Sequence, residues 1–223
     1  MRTMPPSFLP RAILFDLDGV LVSSKKAWFS LMQDVGNTFR GRPISWEEFE
    51  PTFGQATSED ISVFGLAVTP DDLDRYYTSH FRFHAAQLAV DPAAARVLLF
   101  FRERAIPIGV VTNTVTPLAL EILSALKLET YPSVVLGPGQ GCRGKPAPDL
   151  LLSALSTFGV APRDAWMIGD SVFDRQAANA AGTIFIGLGV DGDARIEGLL
   201  ELEEPRHQAS FPSLATRRGK ANL

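Results

Sequence analysis

Short apolar and β-branched runs that end in polar turns recur along the chain, at Ala12–Phe15, Ile106–Val111, Val134–Leu136, Trp166–Ile168 and Ile184–Ile186. Between most of them lie stretches with helical spacing of apolar positions, at Ala93–Arg104, Leu118–Leu126, Leu150–Phe158 and Phe173–Ala181. Strand alternating with helix predicts a parallel sheet with helices on both faces. Gly159 and Gly182 stand just past two of these stretches, where a helix C-terminus favours glycine. The stretch from about Ser24 to Val90 breaks the alternation. It holds no convincing strand and reads as several amphipathic helices, with Ser45 and Thr69 as N-caps ahead of Glu48 and Asp72. The expected architecture is a doubly wound α/β core, residues 1–22 and 91–205, with a helical second domain, residues 23–90, inserted after the first strand. Its hinges would be Val22–Ser24 and Ala89–Pro92. Residues 206–223, polar with basic Arg217, Arg218 and Lys220, read as a frayed tail.

The overall make-up narrows the class. In 223 residues, 46% are hydrophobic and 21% charged, an ordinary globular balance. Twenty-one Lys and Arg against 25 Asp and Glu leave a formal charge of −4, so no basic field recruits nucleic acid. No apolar run approaches the ~18 residues that span a bilayer, so no membrane partner is expected. Pro5, Pro6 and Pro10 interrupt the N-terminus and leave no apolar segment for a signal peptide. A lone cysteine, Cys142, excludes an internal disulfide framework and fits a cytoplasmic location. Monomer and homodimer are both compatible with the sequence.

The sharpest chemical feature is Phe15-Asp16-Leu17-Asp18-Gly19, two carboxylates at i and i+2 directly after an apolar strand. They would meet at the strand's C-terminal end, where open α/β sheets bind ligands. Alone, the motif reads equally well as a surface turn. Three further segments change that: Thr112-Asn113 after Val110-Val111, then Gly144-Lys145-Pro146, then Gly169-Asp170-Ser171-Val172-Phe173-Asp174 after Trp166-Met167-Ile168. Asp16, Asp18, Asp170 and Asp174 would crowd one pocket, and like charges so close need compensation. The Lys145 ammonium and a hard cation held by oxygen ligands would supply it, with Mg²⁺ the natural candidate. No His or Cys cluster accompanies them, which disfavours zinc.

The four motifs, in this order, resemble those of the haloacid dehalogenase superfamily over nearly the whole chain, from Arg11 to about Leu200. The helical insert is similar to the small cap of the phosphoglycolate phosphatase and β-phosphoglucomutase branch. The resemblance implies a Rossmann-like core and a phosphatase of a small phosphorylated metabolite. It implies Asp16 as the nucleophile that becomes an aspartyl-phosphate, and Asp18 as the acid and then base. Mg²⁺ would be held by the side chains of Asp16 and Asp170 and the backbone carbonyl of Asp18. The Thr112 hydroxyl and the Asn113 amide would grip phosphoryl oxygens, Lys145 would neutralise developing charge, and Asp174 would position Lys145 or metal-bound water. Gly19 and Ser171 support these groups. Dehalogenases and phosphonate-cleaving members typically lack the second aspartate, so Asp18 favours phosphate esters. A sugar phosphomutase and a non-catalytic protein of this fold are the alternatives. Ser23, where relatives often carry an acid, and Asp91-Pro92, where they often carry Pro-Gly, put cap motion and specificity in question.

Other signals weigh less. Gly139-Gln140-Gly141-Cys142-Arg143-Gly144 matches G-x-G-x-x-G, but Pro146 and Pro148 follow it where a dinucleotide site needs a helix, so a loop delivering Lys145 is expected. His80 and His84 lie i, i+4 with no third ligand, and read as surface histidines. Lys25 and Lys26 could reach a substrate anion, though a solvated helix face is the simpler reading. Gln55 and Thr57, beside Ala56, occupy an inter-helix turn that could face the site and set specificity. Cys142 carries no catalytic expectation.

Overall fold

The computed structural model describes residues 9–139 and 141–203; the expected tail at 206–223 and the N-terminal Pro5 and Pro6 lie outside them. The chain runs β1 (Ala12–Phe15), β2 (Val22–Ser23), α1 (Lys25–Arg40), α2 (Trp46–Phe49), α3 (Thr57–Phe64), α4 (Pro70–His80), β3 (Ala89–Val90), α5 (Ala94–Glu103) and β4 (Ile108–Val111). It continues through α6 (Thr116–Ala125), β5 (Val134–Leu136), α7 (Asp149–Phe158), β6 (Ala165–Gly169), α8 (Val172–Ala181), β7 (Ile184–Leu188) and β8 (Ala194–Ile196). Six strands form one sheet in the order β5-β4-β1-β6-β7-β8, every neighbouring pair parallel.

The sheet is parallel because its strands are apolar on both faces. Along β1, Ile13 and Phe15 point into a core with α5 and α6, whereas Ala12 and Leu14 point into a second with α7 and α8. Trp166 and Ile168 of β6 join the first core, and Ala165 and Met167 the second. The chain builds outward from β1 first through β4 and β5, then back through β6, β7 and β8. The reversal falls at β1, and the crevice at its C-terminal end is where such sheets bind ligands.

The four expected helices form, with boundaries shifted by one or two residues, and Gly159 and Gly182 end α7 and α8 in the left-handed conformation. Ser45 and Glu48 form the capping box of α2, and Thr69 caps α4 by accepting from the Asp72 N–H. Three strands lie beyond the expected set. β8 pairs with β7 at the sheet's edge, in a stretch rich in Gly and Asp that reads as turn. β2 and β3 form an antiparallel ribbon, pairing Val22 with Val90 and Ser23 with Ala89. Two-residue strands are too short to show a period, so Ala89–Val90 was invisible in the expected all-helical stretch. The ribbon joins the two ends of the helical segment, and Asp91 follows it directly. The Asp91 carboxylate accepts from the Ala93 N–H (2.8 Å) and starts the turn into α5.

Leu151 and Leu152 give a direct test of the second core. Leu151 is fully buried against the sheet, whereas Leu152, one position on, is 41% exposed. Leu151→Ala is expected to cost about 3 kcal/mol and Leu152→Ala under about 0.5 kcal/mol, read from urea unfolding midpoints at unchanged slope.

Candidate active site

The C-terminal ends of the three adjacent strands β4, β1 and β6 supply the site. Asp16 and Asp18 follow β1, Thr112, Asn113 and Thr114 follow β4, and Asp170 follows β6. Lys145 arrives from the loop between β5 and α7; no helix opens among the described residues of 139–144, and α7 starts only at Asp149, after Pro148. Asp16, Asp18, Thr112, Asn113, Thr114, Lys145 and Asp174 are all buried.

Lys145 is the centre of the cluster. Its ammonium lies 2.8 Å from Asp16 Oδ1 and 2.6 Å from Asp174 Oδ1, and donates to the Val111 carbonyl (3.1 Å). Burial pushes a lysine's proton affinity down, but these two carboxylates more than reverse this and raise it. Asp174 holds Lys145 with one oxygen. Its other oxygen accepts from the Ser171 hydroxyl (2.5 Å) and N–H (3.1 Å), closing a capping box at the start of α8. Of the two expected tasks for Asp174, the geometry serves the positioning of Lys145. Asp16 Oδ1 also accepts from the Leu17 N–H (2.7 Å).

Two glycines make room for this crowding. A Cβ on Gly169 would stand 2.3 Å from the Asp174 Cβ, and one on Gly19, whose φ is +84°, would stand 2.1 Å from Asp170 Oδ2. No side chain fits at either position.

Asp18 faces the other way. Oδ1 accepts from the Ser24 hydroxyl and from Trp28 Nε1 (2.9 Å), and Oδ2 from the Thr114 hydroxyl (2.8 Å), with the Thr112 hydroxyl 3.4 Å away. Asn113 uses its side chain structurally: Nδ2 donates to the carbonyls of Gly54 and Lys145 (both 2.9 Å), and Oδ1 accepts from the Lys145 N–H (2.7 Å). Its side-chain oxygen and nitrogen are thus engaged within the protein. Gln55 and Thr57 both line the cleft above Asp16 and Asp18, beside Gly54.

Asp16, Asp170 and Asp174 each place an oxygen within 4.8 Å of the others, an all-oxygen set suited to a hard divalent cation. The side chain of Asp18, expected in the same pocket, is turned toward Ser24 and Trp28. Lys145 is already engaged by two carboxylates, so the cluster keeps an excess of negative charge. Burial first, then Asp174, raises Asp16 well above the usual carboxylate range and lifts Asp170 to about 7. A bound cation relieves both effects.

The remaining signals do not converge here. His84 bonds Asp34 (2.9 Å), while His80 stacks on Tyr76 and bonds Ser79 (2.8 Å), so the two have separate partners. Lys25 pairs with Glu50 (3.1 Å), Lys26 is exposed, and Cys142 is half-buried against the second core. Sequence reasoning missed Ser24, Trp28 and Thr114 around Asp18, and Asp60 and Tyr77 in the cleft. Asp60 carried a signal: it sits in the Thr57, Asp60, Ile61, Phe64 spacing of α3, an acid on the face where apolar residues are expected.

Comparison with known proteins gives a consistent result. The model of the haloacid dehalogenase-like hydrolases matches residues 13–188. The phosphoglycolate phosphatase of Escherichia coli O157:H7 is 40% identical over 212 residues, covering 80% of this chain and 81% of that protein. The phosphorylated carbohydrates phosphatase of Thermotoga maritima is 29% identical over 176 residues, covering 77% and 81%. A solved protein of Lactobacillus plantarum superposes with a TM-score of 0.78 at 26% identity, covering 89% of this chain and 100% of that one.

The raised carboxyls predict a metal-linked pH dependence. Burial, with Asp174 next to it, lifts the Asp170 carboxyl to about 7, against an ordinary 3.8. A carboxyl raised by folding stabilises the fold through its bound proton, fully below about pH 4 and progressively less as pH climbs through about 7. Without divalent cations, the melting temperature should fall between about pH 5.5 and 8, and Asp170→Asn should flatten that fall. Mg²⁺ should stabilise more at pH 8 than at pH 5.5. Scanning fluorimetry with chelator or Mg²⁺ reads each term, and a Mg²⁺ effect equal at both values would contradict the linkage.

Proposed function

The chain belongs to the haloacid dehalogenase-like hydrolases, and on that premise we propose that it is a Mg²⁺-dependent phosphatase of a small phosphorylated metabolite, working through an aspartyl-phosphate on Asp16. The observation that carries this reading is the opposite treatment of two carboxylates two residues apart. Asp16 is bound to a buried ammonium beside the oxygen cluster, whereas Asp18 is turned to neutral donors from both the core and the helical segment. Carboxylates in such different surroundings take different roles, one nucleophile and one acid–base.

In the proposed cycle the Asp16 carboxylate attacks phosphorus. The bond to Asp16 forms as the bond to the leaving oxygen breaks, and Asp18 delivers a proton to that oxygen. Water then attacks the phosphorus of the aspartyl-phosphate. Asp18 takes the water's proton, and inorganic phosphate leaves with Asp16 restored. Lys145 lessens the repulsion between carboxylate and phosphate, while the Thr112 hydroxyl and Asn113 N–H hold phosphoryl oxygens. Mg²⁺, when held by Asp16, Asp170 and the Asp18 carbonyl, supplies Lewis-acid screening of the same charge. Residues 23–90 serve as the cap on a core of residues 1–22 and 91–205, hinged at the β2–β3 ribbon, and exclude bulk water.

Phosphate release from a panel of esters tests the reading, with phosphoglycolate, sugar phosphates and p-nitrophenyl phosphate included. Asp16→Asn should lose about 1000-fold or more. Asp18→Asn should lose about 100-fold or more on alkyl esters and much less on p-nitrophenyl phosphate, whose leaving group needs little protonation. Isomerised sugar phosphate with little free phosphate would instead favour the phosphomutase alternative. Mg²⁺ binding with no turnover of any ester would favour the non-catalytic one.

A further inference from the structure

The cap side of the cleft carries one carboxylate that the proposed chemistry does not use. Asp60, on α3, lines the same cleft as Asp16 and Asp18. Its Oδ1 accepts from Gln55 Nε2 and its Oδ2 from the Tyr77 hydroxyl, both at 2.7 Å. Both partners also line the cleft, and Tyr77 is held edge-on by Trp28 (5.3 Å between ring centroids), the residue that donates to Asp18.

No cation balances this acid. Among the described residues that line the cleft there is no Lys, Arg or His. The buried Lys145 is engaged by Asp16 and Asp174, and Lys25, outside the lining, pairs with Glu50. Burial lifts the Asp60 carboxyl to about 7 against the pull of both its donors. A buried carboxylate without a counter-charge is costly unless something else donates to it. Each oxygen takes one bond from the protein and keeps a lone pair for another donor.

Resting on the phosphatase reading, we infer that Asp60 is a specificity-determining residue that accepts hydrogen bonds from the leaving group's hydroxyls. The site thus takes phosphate monoesters of small neutral polyols or sugars over esters whose leaving group carries a carboxylate. A neutral hydroxyl donates to Asp60, with the Gln55 amide oxygen as a second acceptor close by. A carboxylate in the same place would face Asp60 with no cation in the cleft lining to receive it, and such mispairing is how a polar site rejects an analogue.

The matched pair 2-hydroxyethyl phosphate and phosphoglycolate differs only in CH₂OH against COO⁻. With Mg²⁺ present, the wild type should favour the neutral ester by about tenfold or more in kcat/KM. Asp60→Asn should shrink that preference by about tenfold, as should Gln55→Lys, which puts a cation beside Asp60. A role confined to linking α3 and α4 would lower the melting temperature of Asp60→Asn without moving the ratio of the two substrates, and that result overturns the inference. So does a wild type that turns over p-nitrophenyl phosphate but favours phosphoglycolate or takes both esters equally, while the phosphatase reading survives. Folded wild type that releases phosphate from no ester at all overturns both.

Discussion

One buried ammonium holds the site together. Lys145 is inserted between Asp16 and Asp174, bonded to a strand-end carbonyl, and sealed from solvent. Removing any partner from such a group strands a charge in a poor solvent and costs several kcal/mol, about 3–5 for a broken buried pair. The arrangement therefore constrains three separate parts of the chain at once: the end of β1, the first turn of α8 and the loop after β5. Asp174 must reach Lys145 with one oxygen while its other closes the cap of α8. The helix start and the lysine's position are thus set by one carboxylate.

That constraint explains the packing around it. Gly169 and Gly19 are the places where backbone comes too close to Asp174 and Asp170 for any Cβ. Four carboxylates gather within a few residues of one ammonium because three parallel strands end side by side, and the sheet's own reversal leaves the crevice open there. The fold does not balance the charge. It leaves Asp16 and Asp170 reluctant to ionise, a state that a bound cation would relieve.

Much of this was legible in the residues. The sheet strands are apolar on both faces, and each catalytic candidate follows one of them or sits in a Pro-rich loop, so strand position and site position were read together. Cap glycines and N-cap pairs such as Ser45 with Glu48 were equally local and equally visible. What escaped depended on distance in sequence. Ser24 and Trp28 meet Asp18 only because the β2–β3 ribbon and α1 fold back over β1, and Asn113 meets Gly54 across 59 positions. The three hydrogen bonds of the Asn113 side chain, all to backbone groups of Gly54 and Lys145, were likewise beyond reach of the local sequence. Two-residue strands carry no period, so the ribbon itself was unreadable.

These long-range contacts bring the helical segment and the sheet together at Asp18, the proposed acid–base residue. Asp18 draws its donors from both sides, Ser24 and Trp28 from the helical segment and Thr112 and Thr114 from the core. Movement of α1 away from the sheet would take two of these donors with it and change the proton affinity and direction of that carboxylate together. Asn113 adds a second link, because the carbonyl of Gly54 and the backbone of Lys145 share its amide. Gly54 directly precedes Gln55, the residue that holds Asp60. The carboxylate proposed to recognise the leaving alcohol and the lysine proposed to screen the phosphate are therefore linked through Gln55, Gly54 and Asn113. On the proposed reading, the alcohol-binding and phosphate-binding sides of the cleft share that chain of contacts, so a shift at one side would be felt at the other.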